Sequence, residues 1–244
     1  MLSSYAWHSL HPRFIGADSV VVDLGANEGR FSQVIVREFG SVCHAVEPDP
    51  AILARIPANE RISKYCLAIG GTVDRVRFSI AESSLASRVV EDSSRDVETI
   101  EVEQTTLADF IRRFQIPRVD VLKVDIEGAE IAALDACADD LLRAIGQITI
   151  EFHDFCGIVP PADVVRVLGR LERLGFSCVR MSRVGHQDTW CVNRRVCRIS
   201  GLEIAFVRLF VRYYWGAFRV LKRRLGFAMT ERPWDFRRLS RVPE

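Results

Sequence analysis

Residues 20–29 of this 244-residue chain read VVVDLGANEG, an apolar β-branched run that leads directly into a turn with two glycines. A glycine-rich turn between a strand and a helix lets a ligand approach bare backbone at the carboxyl end of a parallel strand. The glycines stand at relative positions 1 and 5, whereas a dinucleotide fingerprint needs positions 1, 3 and 6. The spacing therefore predicts a ligand without a pyrophosphate, whose amino group Asp23 meets across the turn.

The chain beyond this turn alternates short β-branched runs with helical patterns. Strands are predicted at residues 20–24, 42–46, 63–69, 119–124, 145–151 and 178–182, and helices at 30–39, 51–55, 107–114, 129–144 and 162–174. This alternation predicts an α/β fold with a parallel sheet and helices on both faces. The runs 76–80 and 97–103 have no helix between them and predict an inserted hairpin, and residues 189–193 predict an antiparallel edge strand.

Composition and charge divide the chain into three parts. With 48% apolar and 27% charged residues, the protein is expected to be folded and soluble. Residues 1–193 hold 20 Lys+Arg and 28 Asp+Glu, whereas residues 194–244 hold 13 and 4. We therefore predict a short N-terminal segment (1–19), a catalytic or binding domain (20–193) and a basic, aromatic tail (194–244).

The cysteines and the first residues bear on the cellular compartment. The seven cysteines include no C-x-x-C pair, so neither a disulfide framework nor a zinc knuckle is expected. The first residues lack the basic and apolar pattern of a signal peptide. A cytoplasmic protein is the expectation.

The second strand ends at Glu47, 24 residues after Asp23. A carboxylate at this place can accept hydrogen bonds from both ribose hydroxyls of a nucleoside. The alternative is that Glu47 only caps the helix that begins at Asp49. The glycine turn at the matching distance favours nucleoside binding.

Polar residues also gather where the fourth and fifth strands end. Lys123, Asp125 and Glu127 alternate with apolar residues and share one face, as do Glu151 and His153 on the neighbouring strand. His153 is a candidate general base, because the pKa of histidine lies near neutral pH. Two alternatives stay open. The charges could form structural ion pairs at a strand end, or Asp125, Glu127, Glu151 and His153 could hold a divalent cation such as Mg²⁺.

Taken together, these motifs resemble the FkbM-type S-adenosylmethionine-dependent methyltransferases. The resemblance rests on residues 22–29 (VDLGANEG), 46–48 (VEP), 122–130 (LKVDIEGAE) and 151–153 (EFH). It implies a doubly wound, mostly parallel seven-stranded sheet of the class I methyltransferase type, which is Rossmann-like. It also implies methyl transfer to a hydroxyl of a sugar, glycan or secondary metabolite.

The resemblance further implies which residues contact S-adenosylmethionine. The residues expected around its methionine part are Asp23, Gly25, Ala26, Asn27 and Gly29, with Asp125 nearby; Glu47 is expected at the ribose, and Ala68 and Ile69 at the adenine. Because only about twenty residues precede the first strand, any helix that covers the cofactor is expected to be short or to come from elsewhere.

The expected chemistry is an in-line displacement, in which the enzyme aligns the acceptor oxygen and takes up its proton. His153 is the predicted base, oriented by Glu151 or Asp125, with Lys123 fixing the carboxylates. The acceptor is expected to meet residues 83–94, residues 155–161 and the tail. The alternatives are an RNA ribose methyltransferase and a non-catalytic interaction protein that has kept the nucleoside-binding fold.

The tail forms an amphipathic helical pattern over residues 202–225. Its apolar face begins with Ile204, Val207 and Val211, and arginines occupy the other face. Such a helix is typical of a peripheral protein on the inner face of a membrane, where a lipid-linked acceptor would be near. Packing on the body and self-association explain the same pattern. Nucleic acid is a less suitable partner, because the body carries net negative charge.

Overall fold

The structure is a computed structural model that describes residues 2–79, 99–182 and 184–211. The expected acceptor segment 83–94 and most of the predicted tail helix, residues 212–225, lie outside the described residues. Within the described ranges the strands, in chain order, are β1 (Ser3–Tyr5), β2 (His8–Leu10), β3 (Val20–Leu24), β4 (Val42–Val46), β5 (Ile62–Tyr65), β6 (Ala68–Ile69), β7 (Asp74–Ser79), β8 (Thr99–Thr105), β9 (Val121–Val124), β10 (Gln147–Ile150), β11 (Phe176–Arg180) and β12 (Thr189–Asn193).

The helices alternate with these strands, as the sequence predicts. They are α1 (Arg30–Phe39), α2 (Pro50–Leu53), α3 (Leu107–Arg113), α4 (Glu130–Asp135), α5 (Asp139–Ala144), α6 (Pro161–Arg173) and α7 (Gly201–Phe206), with a 3₁₀ turn at Pro12–Phe14 and a π-helical turn at Val207–Val211. The predicted helix 129–144 is two helices, α4 and α5. The second begins with Asp139 and Asp140, whose charges suit a helix N-terminus.

The central sheet has seven strands in the order β11-β12-β10-β9-β3-β4-β5. Strands β5, β4, β3, β9 and β10 run parallel, and β12 pairs antiparallel with both β10 and β11. The predicted doubly wound, mostly parallel sheet is therefore confirmed. The prediction that residues 189–193 form an edge strand is wrong, because Cys191 lies opposite Ile148 on one side and Cys178 on the other. Strand β11 occupies that edge.

The inserted hairpin is confirmed as β7 and β8, which pair antiparallel in a separate three-stranded sheet. The predicted third strand, 63–69, is divided between the two sheets. Its first half is β5 in the central sheet, and its second half is β6, which pairs parallel with β8. One predicted strand thus serves two sheets, and its residues Cys66 and Leu67 lie between β5 and β6.

Two hydrophobic cores cover the two faces of the central sheet. On one face, α3, α4, α5 and α6 contribute Phe110, Leu134, Leu142 and Leu171. On the other face α1 contributes Phe31 and Ile35, which pack with Val121 and Trp190. Burial of each such side chain contributes about 1.5–3 kcal/mol. Because both faces are covered, the parallel strands can be apolar along their whole length.

The segment before β3 is a β-hairpin, formed by β1 and β2, and it packs into the second core through Tyr5 and Leu10. The backbone N–H and the hydroxyl of Ser9 donate to the carboxylate of Asp188 at 3.0 and 2.6 Å. The hairpin therefore joins the N-terminal residues to the sheet and brings β2 toward β10.

The tail begins on the body of the protein. Ser200 and Glu203 form a capping box at the start of α7, and Ile204 and Val207 are buried in the second core. For these residues, packing on the body is the observed role of the apolar face. No helix among the described residues has the length and apolar composition that crossing a bilayer requires.

Candidate active site

The glycine turn lies where the strand order reverses, between β3 and β9, with β4 beside it. Gly25 adopts a φ of +71°, and a Cβ there would lie 1.7 Å from the carbonyl oxygen of Asp125. The backbone N–H groups of Gly25 and Ala26 donate to the carbonyl oxygen of Val46 at 3.0 and 2.9 Å. The turn is thus held between the ends of β9 and β4, and only glycine fits at position 25.

Lys123 holds the backbone of this turn in place. It is buried, and its Nζ donates to the carbonyl oxygens of Gly25 and Leu24 at 2.7 and 3.1 Å. It also lies 3.1 Å from Asp23 Oδ1 and 3.5 Å from Asp125 Oδ2. Burial favours neutral lysine, but the two carboxylates raise the pKa of Lys123. Lys123 thus lies between the backbone of the turn and the two carboxylates.

Asp23 has a different environment from the one expected. Its side chain is fully buried, and its Oδ2 accepts a hydrogen bond from the hydroxyl of Ser32 at 2.7 Å. Lys123 lies against the other oxygen. The amino group that Asp23 meets is therefore that of Lys123, and a ligand at the sheet edge does not reach this carboxylate directly.

Glu47 joins the end of β4 to the glycine turn. Its Oε2 accepts from the backbone N–H of Asn27 at 2.9 Å, and its Oε1 from that of Asp49 at 3.1 Å. Asp49 is the residue that caps α2, accepting from the N–H of Ala51 at 2.7 Å, and Glu47 holds this cap residue and the glycine turn together. Glu47 is 6% exposed, and burial raises its pKa.

The other residues expected at the cofactor are mainly backbone elements or core residues. Asn27 and Gly29 have φ values of 49° and 72°, and Gly29 is the N-cap of α1. Ala26 packs in the second core. Ala68 and Ile69 are 5% and 3% exposed and belong to the small sheet, so their side chains lie in the core and not on an open surface.

His153 is enclosed by two carboxylates. Its Nδ1 lies 2.8 Å from Glu130 Oε1, and its Nε2 lies 3.0 Å from Glu127 Oε2. Burial opposes the charge, but the hydrogen bonds to Glu127 and Glu130 raise the pKa of His153 to about 11. Both ring nitrogens therefore carry protons at neutral pH. This contradicts the prediction that His153 is the general base, and the orienting residues are Glu127 and Glu130 in place of Glu151 or Asp125.

Glu130 is the more deeply buried of the two carboxylates that contact His153. Its carboxylate is fully buried at the start of α4, where Oε1 also accepts from the backbone N–H of Gly128 at 2.9 Å. Its Oε2 has no hydrogen-bond donor among the described residues. A buried carboxylate needs a cation nearby, and His153 supplies it.

Glu151 is the candidate proton acceptor at this edge of the sheet. It is half-buried at the end of β10, and burial together with the charge of Asp125 raises its pKa to about 7. Asp125 is 25% exposed; burial raises its pKa, but Lys123 and His8 lower it more strongly, so it stays ionised. At this edge of the sheet, Asp125 is therefore ionised at neutral pH, and Glu151 beside it gains or loses its proton near pH 7.

His8 completes this group from the N-terminal hairpin. Its Nε2 lies 3.5 Å from Asp125 Oδ2, and its Nδ1 lies 3.5 Å from the hydroxyl of Thr149. The sequence gives no local signal for His8, because its partner is 117 positions away.

Two sets of side chains have the spacing of metal ligands. Asp125, Glu127 and His153 form one, in which the two ring nitrogens of His153 lie 2.8 and 3.0 Å from oxygens of Glu130 and Glu127. No group among the described residues joins all four expected ligands, since Glu151 does not belong to the set that contains Glu127 and His153. His8, Asp125 and Glu151 form the other, with ligand atoms within 4.8 Å of one another.

A second histidine pair lies at the same edge of the sheet. His186 Nδ1 is 2.7 Å from Asp154 Oδ2, and the backbone N–H of His186 donates to Asp154 Oδ1 at 2.8 Å. The carbonyl oxygen of His186 accepts from the N–H of Phe152. This pair connects the loop after β10 with the loop before β12, a contact that the sequence does not indicate.

Comparisons with known proteins give a consistent result. The family model described as the methyltransferase FkbM domain matches residues 23–178. Methyltransferase 1 of Beauveria bassiana is 25% identical over 189 residues, 66% of this chain and 73% of that protein. The hexuronic acid methyltransferase AglP of Haloferax volcanii is 23% identical over 186 residues, 73% of this chain and 71% of that protein.

Among solved structures, the fibrillarin pre-rRNA processing protein of Methanococcus jannaschii is similar with a TM-score of 0.44 and 14% identity, over 79% of this chain and 70% of that one. This likeness is too loose to support an argument about function.

Proposed function

The chain belongs to the FkbM methyltransferase family, and on this premise we propose that it transfers the methyl group of S-adenosylmethionine to a hydroxyl of a sugar or another hydroxylated natural product. A relative that is named a hexuronic acid methyltransferase supports a sugar-like acceptor. The observation that carries the proposal is Glu151, a half-buried carboxylate with a pKa of about 7 at the carboxyl edge of the sheet. Such a group can take up the proton that a hydroxyl loses.

The charges of the site fit S-adenosylmethionine, whose sulfonium and amino groups are cationic. Carboxylates outnumber basic side chains around the glycine turn: Asp23, Glu47, Asp125, Glu127, Glu130 and Glu151 stand against Lys123, His153 and His8. The excess negative charge favours a cationic ligand. Ligands of open α/β sheets bind where the strand order reverses, which is where these residues lie.

Glu47 remains suited to the ribose. Each of its two carboxylate oxygens accepts one backbone hydrogen bond and can accept a further one. The bonds to Asn27 and Asp49 hold the carboxylate in place before the ligand arrives. Lys123 and Gly25 fix the backbone of the turn in the same way, so little ordering is needed on binding.

When bound, S-adenosylmethionine supplies an electrophilic methyl carbon. Glu151 accepts the proton of the acceptor hydroxyl, and burial together with the charge of Asp125 keeps it basic enough to do so. Glu127 and Glu130 keep His153 charged, and this cation holds the loop after β10 against the start of α4. His153 is therefore a positioning residue in this proposal.

The test uses full-length protein, titrated with S-adenosylmethionine with and without Mg²⁺ and then incubated with the labelled methyl donor and an acceptor panel. We expect binding that weakens in Glu47→Ala, and methyl transfer to a hydroxylated acceptor that is lost in Glu151→Gln. Glu172→Gln, on the exposed surface of α6, is the matched control. No binding of the donor, or label found only on RNA in a panel that includes it, would reject the proposal.

A further inference from the structure

A group of arginines lies at the amino edge of the sheet, opposite the candidate active site. Two adjoining clefts of about 210 and 420 Å³ open there, where β11 begins and β12 ends. Both are lined by Arg194; Arg208 lines the smaller and Arg195 the larger. We name these three side chains and the space between them the arginine cleft. The methyltransferase function leaves it without a role.

The loop that carries the first two arginines is firmly held. Asn193 is 1% exposed, and its side-chain Oδ1 accepts from the backbone N–H groups of Arg195 and Val196 at 3.1 and 3.3 Å. Its Nδ2 donates to the carbonyl oxygen of Arg143, and the N–H of Arg194 donates to the carbonyl oxygen of Gly175. The arginines are thus mounted on a fixed backbone, and their side chains remain exposed.

The positive charge of the cleft is only partly compensated. Glu172 lines the larger cleft and lies 3.8 Å from Arg208. Arg194 and Arg195 form no ion pair with a carboxylate anywhere in the described part of the chain. Guanidinium groups match phosphate oxygens in geometry and charge, so the cleft is suited to phosphate groups.

Exposed leucines stand next to the cleft. Helix α7 begins beside Arg194. Leu202 on α7 is 84% exposed, and Leu209 in the following turn is 60% exposed. The opposite side of the helix is buried through Ile204 and Val207. A soluble phosphate needs only the arginines. A basic cleft flanked by exposed leucines fits phosphate at an apolar boundary, which is the surface of a bilayer.

We propose that the arginine cleft, together with Leu202 and Leu209, binds the phosphates of an anionic membrane surface. The charge of the following chain agrees, since residues 194–244 hold 13 Lys+Arg and 4 Asp+Glu. The phosphodiesters of the lipids bind Arg194 and Arg195, and the two leucines enter the headgroup boundary.

This placement has a consequence for the acceptor. Strand β12 runs from Thr189 at the active edge to Asn193 at the cleft, about 13 Å along the strand. A protein docked through the cleft keeps its active edge away from the bilayer. The acceptor is then reached from the aqueous side, and the attached enzyme stays open to it.

The experiment is co-sedimentation of the full-length protein with phosphatidylcholine vesicles that contain or lack phosphatidylglycerol. We expect binding to the anionic vesicles only. In the double variant Arg194→Gln/Arg195→Gln the partition coefficient should fall about 30-fold, because each arginine near an anionic surface contributes about a fivefold factor. Leu202→Gln/Leu209→Gln should also weaken binding.

The control is Arg37→Gln/Arg112→Gln, which removes the same charge from two arginines that are 70% and 76% exposed on other surfaces. Binding that the control weakens as much as the cleft variant would overturn the proposal, as would absence of binding to anionic vesicles. If inorganic phosphate bound the cleft by itself and displaced the vesicles, the ligand would be a soluble phosphate and not a lipid. Preferential binding to RNA, lost in the cleft variant, would assign nucleic acid. None of these readouts depends on methyl transfer.

Discussion

Replacing Asp125 by Asn should make Glu151 a weaker base, and the size of the effect follows from their separation. The ligand oxygens of the two carboxylates lie within 4.8 Å. Two unit charges at this distance repel by about 0.9 kcal/mol in water and about 3.5 kcal/mol at an effective dielectric constant of 20. Removing the repulsion lowers the pKa of Glu151 by about 0.6 to 2.5. Starting from about 7, it should fall to between about 4.5 and 6.4.

The assay is the pH profile of kcat/KM, which reports groups of the free enzyme. A base must be deprotonated to act, so activity of the natural protein should rise with pH through about 7. In Asp125→Asn this rise should move to lower pH, and in Glu151→Gln it should be absent, with turnover reduced about 100-fold or more. Carbon-13 NMR of labelled glutamate follows the same titration without an acceptor.

Glu172→Gln is the control, since it removes an exposed carboxylate far from this edge and should leave the profile unchanged. A rise that stays near pH 7 in Glu151→Gln would refute the assignment of the base. A rise that moves to higher pH in Asp125→Asn would refute the electrostatic reasoning, because removal of a negative neighbour can only favour the ionised carboxylate.

Three further predictions follow from the site. His153→Gln leaves buried Glu130 without its cation and should lower the free energy of unfolding, measured in urea, by about 3–5 kcal/mol. Stability should recover when Glu130→Gln is added. Because folding raises the pKa of His153 to about 11, its contribution to stability is complete below pH 6.5 and is lost as the pH rises toward 11. Gly25→Ala places a methyl group 1.7 Å from the carbonyl oxygen of Asp125 and should abolish donor binding by calorimetry, whereas Gly16→Ala, with open space around it, should not. A neutral sugar should show a higher kcat/KM than the matching hexuronic acid, by about tenfold or more, because a like charge is repelled by the carboxylates; equal values would contradict the electrostatic account.

The sequence predicted the order of strands and helices well because local patterns carry that information. The β-branched runs became strands, and the turn after Asp23 became the tight connection to α1. The pattern could not show that residues 63–69 serve two sheets, or that β12 lies inside the sheet. A strand pattern looks the same in the sequence whichever sheet the strand joins, because packing in the folded chain selects its neighbours.

The sequence indicated which residues meet at the site better than it indicated what each of them does. Lys123, Asp125, Glu151 and His153 do meet at one edge, because parallel strands end together. Their roles depended on contacts that spacing does not contain. His153 is held protonated by Glu127 and Glu130, and Glu151 has the pKa expected of a base. Burial and neighbouring charges set a pKa, and both are properties of the folded chain.

The sequence by itself determined the fold class, the family and the edge of the sheet where the chemistry lies, since each rests on periodicity or on motifs within a few residues. Only the tertiary structure decided which groups ionise and which residues join from far away. His8 reaches Asp125 through a hairpin that packs on β10, and Arg194 lies beside Arg208 because the tail folds back on β11. Contacts of this kind arise when separate elements bury a common core, and the free energy that places them is spread over the whole chain.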